Sequence, residues 1–392
     1  MAPGATSKAG LYIHFPFCRR KCPYCHFLSA PVDAHLLRSW IAVWRKGLVA
    51  EAELFSAGVA APIPPDLEFD TLYIGGGTPS LMTGEELADL REDLSARLPL
   101  RPAEFTLEAN PFAGAGLDTF RSWIRAGVTR LSVGAQSFDD SVLRTLGREA
   151  TAEQTEAFLL GAREAGFGSL GLDLMIGIPG ETPASLERTL GAVRRIAPDH
   201  VSLYFLENVE GLPFEKVLRD QPVDEDKAVD AFERAAEFLD SMGRPRYEIS
   251  NFARPGRECL HNLKYWRYES FAGFGPSAAS HFGGKRWMNT GQFEAWRKGA
   301  AEGLVPVSES VRLKPETAAR EALASGLRLV DGIDLDAFTE RFGIDPMYRL
   351  RKEIDDLDSD GLIERKARIL RIPPEMLLVS NAIIARLVGG LS

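Results

Sequence analysis

Only four of the 392 residues are cysteine, too few for the disulfide framework that staples a small secreted fold. No apolar run approaches the roughly 18–20 residues of a membrane-spanning helix. The opening residues, Met1 to Gly10, lack the apolar core of a signal peptide, so a cytoplasmic address is the expectation. Basic charge is not in excess either. A formal net charge of -9 and a pI near 5.4 argue against a nucleic-acid or anionic-membrane partner. What remains is ordinary globular composition, long enough for one large α/β domain and a small appendage.

The scarce cysteines are not scattered. Cys18, Cys22 and Cys25 fall within eight residues, the clustering expected of metal or cluster ligands in a reducing compartment. Cys259 lies far off and is expected to be a small, partly buried residue.

The first two-thirds of the chain alternates short β-rich runs with helical stretches, the pattern of a parallel sheet covered by helices. Strands are expected at 11–15, 71–74, 104–107, 130–133, 170–175 and 201–206. Thr83 with Glu86, and Thr151 with Gln154, read as capping boxes. The stripes that follow, Leu87, Leu90, Leu94 and Leu98, then Phe158, Leu159 and Ala162, read as helix faces turned to the core. Leu186, Leu190 and Val193 give the next stripe.

Six such β-α units predict a barrel or partial barrel, in which chemistry collects at the carboxyl ends of the strands. The unusual residues fall there. The cysteines follow the first strand and Gly75-Gly76-Gly77-Thr78-Pro79 the second. Glu108-Ala109-Asn110-Pro111 closes the third, Gln136 the fourth, and Asp173 lies in the fifth. An aromatic region follows, from Tyr247 to Trp296. After about residue 305, helical patterns at 316–325, 335–342 and 347–357 precede a hairpin-like 362–372 and a final amphipathic helix, resembling a winged helix. Residues 311–392 hold 13 Lys/Arg against 14 Asp/Glu, which favours a role other than DNA binding. The expected division is 1–230, 231–304 and 305–392.

Cys18-x3-Cys22-x2-Cys25 offers three thiolates on one loop. A four-iron cluster held by three cysteines keeps one iron open; zinc completed by His14 or His26 is the alternative from ligand counting alone. The surrounding sequence, Tyr12 through Phe27 with the glycine loop one strand later, resembles the radical S-adenosylmethionine (SAM) superfamily. The resemblance implies a partial (β/α)6 barrel, a [4Fe–4S] cluster on Cys18, Cys22 and Cys25, and SAM on its open iron. It also implies SAM contacts at Gly76, Gly77, Thr78, Glu108, Gln136, Arg148 and Asp173, with Tyr12 beside the cluster. Singly each could be structural, and Glu108 with Arg148 could be a plain ion pair.

Within that superfamily the chain resembles oxygen-independent coproporphyrinogen III oxidases and, more narrowly, HemW-type haem chaperones. The oxidase pattern carries a further cysteine where this chain has Phe27, and a longer segment ahead of the first strand. His261-Asn262-Leu263-Lys264-Tyr265-Trp266 matches the HNxxYW motif associated with haem in the chaperones, which implies His261 as a haem contact. Gly273-Phe274-Gly275-Pro276-Ser277-Ala278 matches a glycine-rich segment but departs at Ala279, where histidine is usual. The expected function is haem binding and delivery to an acceptor haemoprotein, with no catalytic residue assigned. A radical enzyme acting on a tetrapyrrole is the alternative. An electron donor and a second copy of the chain are the other expected partners.

Overall fold

The computed structural model describes residues 7–112 and 115–389. Six strands follow one another in parallel register: β1 (Ser7–Phe15), β2 (Leu67–Gly76), β3 (Leu100–Ala109), β4 (Arg130–Gln136), β5 (Ser169–Ile176) and β6 (His200–Phe205). Each contains or nearly coincides with a strand expected from the sequence. The connecting helices include α1 (Leu37–Ser56), α2 (Gly84–Ser95), α3 (Leu117–Arg125), α4 (Asp140–Thr145), α5 (Ala152–Ala165) and α6 (Pro183–Ile196), and α7 (Glu225–Ser241) follows β6. Both expected capping boxes form, and Thr182 with Ser185 makes a third at α6.

The helices cover one face of the sheet. The stripes read from the sequence, together with Trp44, Phe55, Phe120, Trp123 and Phe232, are buried in one continuous apolar cluster. Burying such side chains stabilises the fold by about 1.5–3 kcal/mol each. Polar strand residues, among them Glu108, Ser132, Gln136 and Asp173, line a cavity instead.

The sheet does not stop at six strands. β7 (Asn251–Ala253) adds antiparallel to β6, and β8 (Phe271–Phe274) adds parallel to the other edge at β1. β9 (Ala279–Phe282), β10 (Lys285–Asn289) and β11 (Val307–Arg312) continue antiparallel from there, making eleven strands among the described residues. Between them lie the short α8 (Leu260–Trp266) and α9 (Phe293–Ala301). A second apolar cluster, from Ala319 to Leu387, holds α10 (Pro315–Gly326), the helix Leu335–Phe342 and a three-stranded sheet. Tyr268 joins that cluster to the first layer.

Glu51 pins the added strands to the barrel. Buried on α1, it accepts hydrogen bonds from Gly275 N–H and Trp296 Nε1–H at 2.9 Å and from the Asn289 amide at 2.5 Å. Burial pushes its carboxyl up to about 7. In Glu51→Gln an amide N–H2 faces one of these donors, so stability at pH 8 is expected to fall by about 1–3 kcal/mol. A shift of the denaturant midpoint measures it; an unchanged midpoint would refute the assignment.

Candidate cofactor site

The cysteine loop leaves β1 at its carboxyl end. Phe17 and Cys18 pair with Ala30 and Pro31 in a short ladder, and Cys25 N–H donates to the Cys22 carbonyl at 3.1 Å. All three cysteines are free and line one cavity of about 150 Å³. The cavity adjoins a second of about 270 Å³ that shares Cys22, Thr78, Asn110 and Arg148. Thr78 Oγ1–H donates to Cys18 Sγ at 3.4 Å, and Arg148 Nη1 points at Cys22 Sγ from 3.8 Å. The Thr78 contact favours the Cys18 thiolate. Burial works the other way, pushing the Cys18 and Cys25 thiols up, a cost that metal binding to the thiolates offsets.

The two metal alternatives ask different things of the donors. Tetrahedral zinc needs its sulfurs roughly 3.8 Å apart. Among the described residues no group of three or more His, Cys, Asp or Glu side chains is drawn together to hold a single ion. Thiolates that bind separate irons of one cluster stand wider apart, and three cysteines around one cavity suit that group.

The strand ends close around the cysteines as expected. Gly76, Gly77, Thr78, Glu108, Gln136, Arg148 and Asp173 all line the same cavity. Glu108 accepts the Gly76 N–H at 3.0 Å and the Tyr73 hydroxyl at 2.8 Å, and burial pushes its carboxyl up to about 7. Arg148 donates to Asn110 Oδ1 at 2.8 Å and to the Gly134 carbonyl. Glu108 and Arg148 thus have separate partners, and a plain ion pair between them is not what the geometry shows. Ser132 Oγ–H donates to Asp173 Oδ1 at 3.3 Å, and burial raises that carboxyl too. Gln136 sits at φ +67°, left-handed for a residue with a side chain, a strain of roughly 1–3 kcal/mol. The Tyr204 hydroxyl donates to its Oε1 at 2.9 Å.

Tyr12 stands outside the cavity. Its hydroxyl donates to His14 Nδ1 at 3.1 Å, and His14 Nε2–H donates to the Leu28 carbonyl at 2.8 Å. Tyr12 therefore braces the cysteine loop at one remove. Phe27, 56% exposed, sits at the cavity rim. Sequence reasoning passed over Ser132 and Tyr24, which also line the cavity. For Ser132 a signal was there: positions 132 and 134, both at the cavity, share one face of β4 by the two-residue alternation of a strand.

His261 lies elsewhere. Glu104 caps α8, accepting from Leu260 N–H at 3.1 Å and His261 N–H at 3.0 Å. Glu104 and Glu108 stand four residues, about 13 Å, apart along one face of β3, and the His261 ring meets the cavity through Tyr73, whose ring centroid lies 5.3 Å away and whose hydroxyl bonds Glu108. The His261 ring is 1% exposed, with Nδ1 bonded to Thr71 Oγ1 and Nε2 to the Tyr265 hydroxyl, both at 2.8 Å. Burial, with Lys264 nearby, pushes its pKa down to about 3. The motif led us to expect His261 as a haem contact; in this geometry neither nitrogen is open to iron, and the residue ties α8 to β2. Cys259 is buried with its thiol directed at Glu104, as expected of a structural cysteine.

Residues 12–193 match the Radical SAM superfamily and residues 313–379 match the HemN C-terminal domain. The chain is 32% identical to heme chaperone HemW of Bacillus subtilis over 97% of this chain and 99% of that protein. It is 33% identical to heme chaperone HemW of Mycobacterium tuberculosis over 99% and 97% respectively. Among solved structures, the fold matches coproporphyrinogen III oxidase (HemN) from Escherichia coli, a radical SAM enzyme, with a TM-score of 0.82. That match has 22% identity and covers 97% of this chain and 90% of the other. Similarity at this level along nearly the whole chain, joined to a cysteine cavity ringed by the expected strand-end residues, places the chain in the HemW haem chaperone family of the radical SAM superfamily.

Proposed function

We propose that this chain binds haem and hands it to an acceptor haemoprotein, with a [4Fe–4S] cluster on Cys18, Cys22 and Cys25 and SAM in the adjoining cavity. The observation that carries the reading is the end-to-end similarity to heme chaperones, together with Phe27 at the position where the oxidase pattern has a further cysteine.

A cluster held by Cys18, Cys22 and Cys25 would supply one-electron chemistry beside the SAM cavity. The chain's own residues position the two. Gly76 and Gly77 bring bare backbone to the methionine end of SAM, and Thr78 holds Cys18. Glu108, Gln136 and Asp173 present acceptors suited to an amine and to ribose hydroxyls. Arg148 places a fixed cation beside Cys22 and the cavity, suited to a carboxylate. The carrier reading leaves open no role for this site in breaking a tetrapyrrole bond.

The test is a parallel assay on the anaerobically reconstituted chain. Haem titration is expected to give about one haem per chain by its Soret band, and the loaded chain is expected to pass haem to an apo-globin. Coproporphyrinogen III with SAM and a reductant is expected to be recovered unchanged. Protoporphyrinogen formation without haem uptake would replace this reading with the enzymatic one.

A further inference from the structure

We propose that His281 supplies an imidazole that ligates haem iron, in a cleft between the sheet edge and α10 beside the helix that carries the HNxxYW motif. The inference rests on the haem-carrier reading and adds the site to it.

The cleft, about 370 Å³, lies within the size range of ligand pockets. Its floor is a cross-strand row. Phe271 on β8 pairs with His281 on β9, which pairs with Arg286 on β10, so an aromatic ring, an imidazole and a guanidinium stand side by side on one face. Tyr265 and Tyr268 form one wall, and Ala324 and Ser325 of α10 the other. Aromatic walls suit an apolar macrocycle. Arg286, held by Glu321 at 2.6 Å, is a cation that a propionate carboxylate can share.

The tautomer is what makes His281 a ligand. Its Nδ1 lies 3.3 Å from the Glu269 carbonyl, which can only accept, so Nδ1 carries the proton. Nε2 is left with its lone pair and no hydrogen-bond partner among the described residues, on a ring that lines the open cleft and packs against the Tyr268 ring at 4.2 Å. A histidine whose far nitrogen donates to a backbone carbonyl is the usual arrangement of a metal-bound imidazole. Burial lowers its pKa, which keeps it neutral and ligand-competent near pH 7. The other histidines offer less. His14, His200 and His261 are buried and hydrogen-bonded, and His26 and His35 are exposed beside the cysteine loop and α1. The half-open cleft also suits cargo, since one haem edge stays free for transfer.

The HNxxYW motif takes a new meaning here. Its histidine fixes the Tyr265 hydroxyl, and the Tyr265 ring packs edge-on against Phe271 at 4.6 Å. His261 thereby sets one wall of the cleft as a positioning residue.

Ferric haem is titrated into the full chain with its cluster reconstituted, and the Soret band and EPR signals are followed. His281→Ala is expected to lose the imidazole-ligated signature and to bind haem roughly tenfold more weakly or worse, with free imidazole restoring the signature. Ser325→Trp fills the cleft from the opposite wall with the imidazole intact, and a similar loss of affinity is expected. Thermal unfolding confirms that both variants fold. If wild type takes up no haem, the carrier reading fails and this assignment with it. If wild type binds and both variants match it, the carrier reading stands and the cleft is overturned.

Discussion

Replacing Cys22 by alanine is expected to remove the iron–sulfur cluster, lowering iron and acid-labile sulfide after reconstitution by roughly tenfold or more relative to wild type. The three thiols have no substitute within the cavity: the other side chains lining it are hydroxyls, amides, carboxyls, two guanidiniums, a methyl and one exposed phenyl ring. Two thiolates cannot hold a cluster whose open iron is already given to SAM. Cys22 is also the thiol that Arg148 faces, so its loss leaves Arg148 with Asn110 and the Gly134 carbonyl as partners. Cys18→Ala and Cys25→Ala should behave alike. Cys259→Ala is the control, since that thiol sits beside Glu104 in the middle of β3 and does not line the cavity, and its iron content should equal wild type. Iron and sulfide retained in all three cavity variants would refute the assignment, and zinc in place of iron and sulfide would revive the alternative left open by ligand counting.

Most of the barrel was legible because its signals are local. Apolar stripes at helical spacing, capping boxes and short β-branched runs need no knowledge of the rest of the chain, and the six parallel strands appear close to where those signals put them. The strand-end residues were legible for a related reason: a parallel α/β sheet gathers its loops at one end, so residues far apart in sequence line one cavity. The five further strands were not read, because they are short and their pairing is set by distant partners. β8 finds its place by lying parallel to β1, some 260 residues earlier, a contact with no local trace. The surroundings of His261 were out of reach for a similar reason. Its motif marks a position, but Thr71, 190 residues away in sequence, and Tyr265 decide what the ring does there. His281 drew no attention as a histidine in a strand of alternating burial, although its place two residues after Ala279 puts both on one strand face.

The second large effect belongs to the glycine loop: Gly77→Ala is expected to weaken SAM binding to the reconstituted chain by roughly tenfold or more. A Cβ on Gly77 would lie 2.5 Å from the Phe17 carbonyl oxygen and 2.9 Å from that of Phe15. Both are backbone atoms, so no rotamer change relieves the clash, and the loop itself must move. That movement is costly to the site because Gly77 N–H donates to the Phe15 carbonyl at 2.7 Å and Thr78 N–H to that of Phe17 at 2.8 Å. These two bonds hold the loop to the strand that leads into Cys18, and Thr78 in turn donates to the Cys18 sulfur. Displacing Gly77 therefore separates the backbone that receives SAM from the cysteine beside it. Gly76→Ala should be at least as severe, since φ is +109° there and its Cβ would meet the His14 ring at 2.6 Å, a ring already held at both nitrogens. Gly116→Ala gives the control: its Cβ meets nothing within 4 Å and its φ is ordinary. Isothermal titration with SAM, on variants shown to be folded by circular dichroism, separates the outcomes. Affinity within about threefold of wild type in both Gly76→Ala and Gly77→Ala would mean that SAM does not lie against this loop.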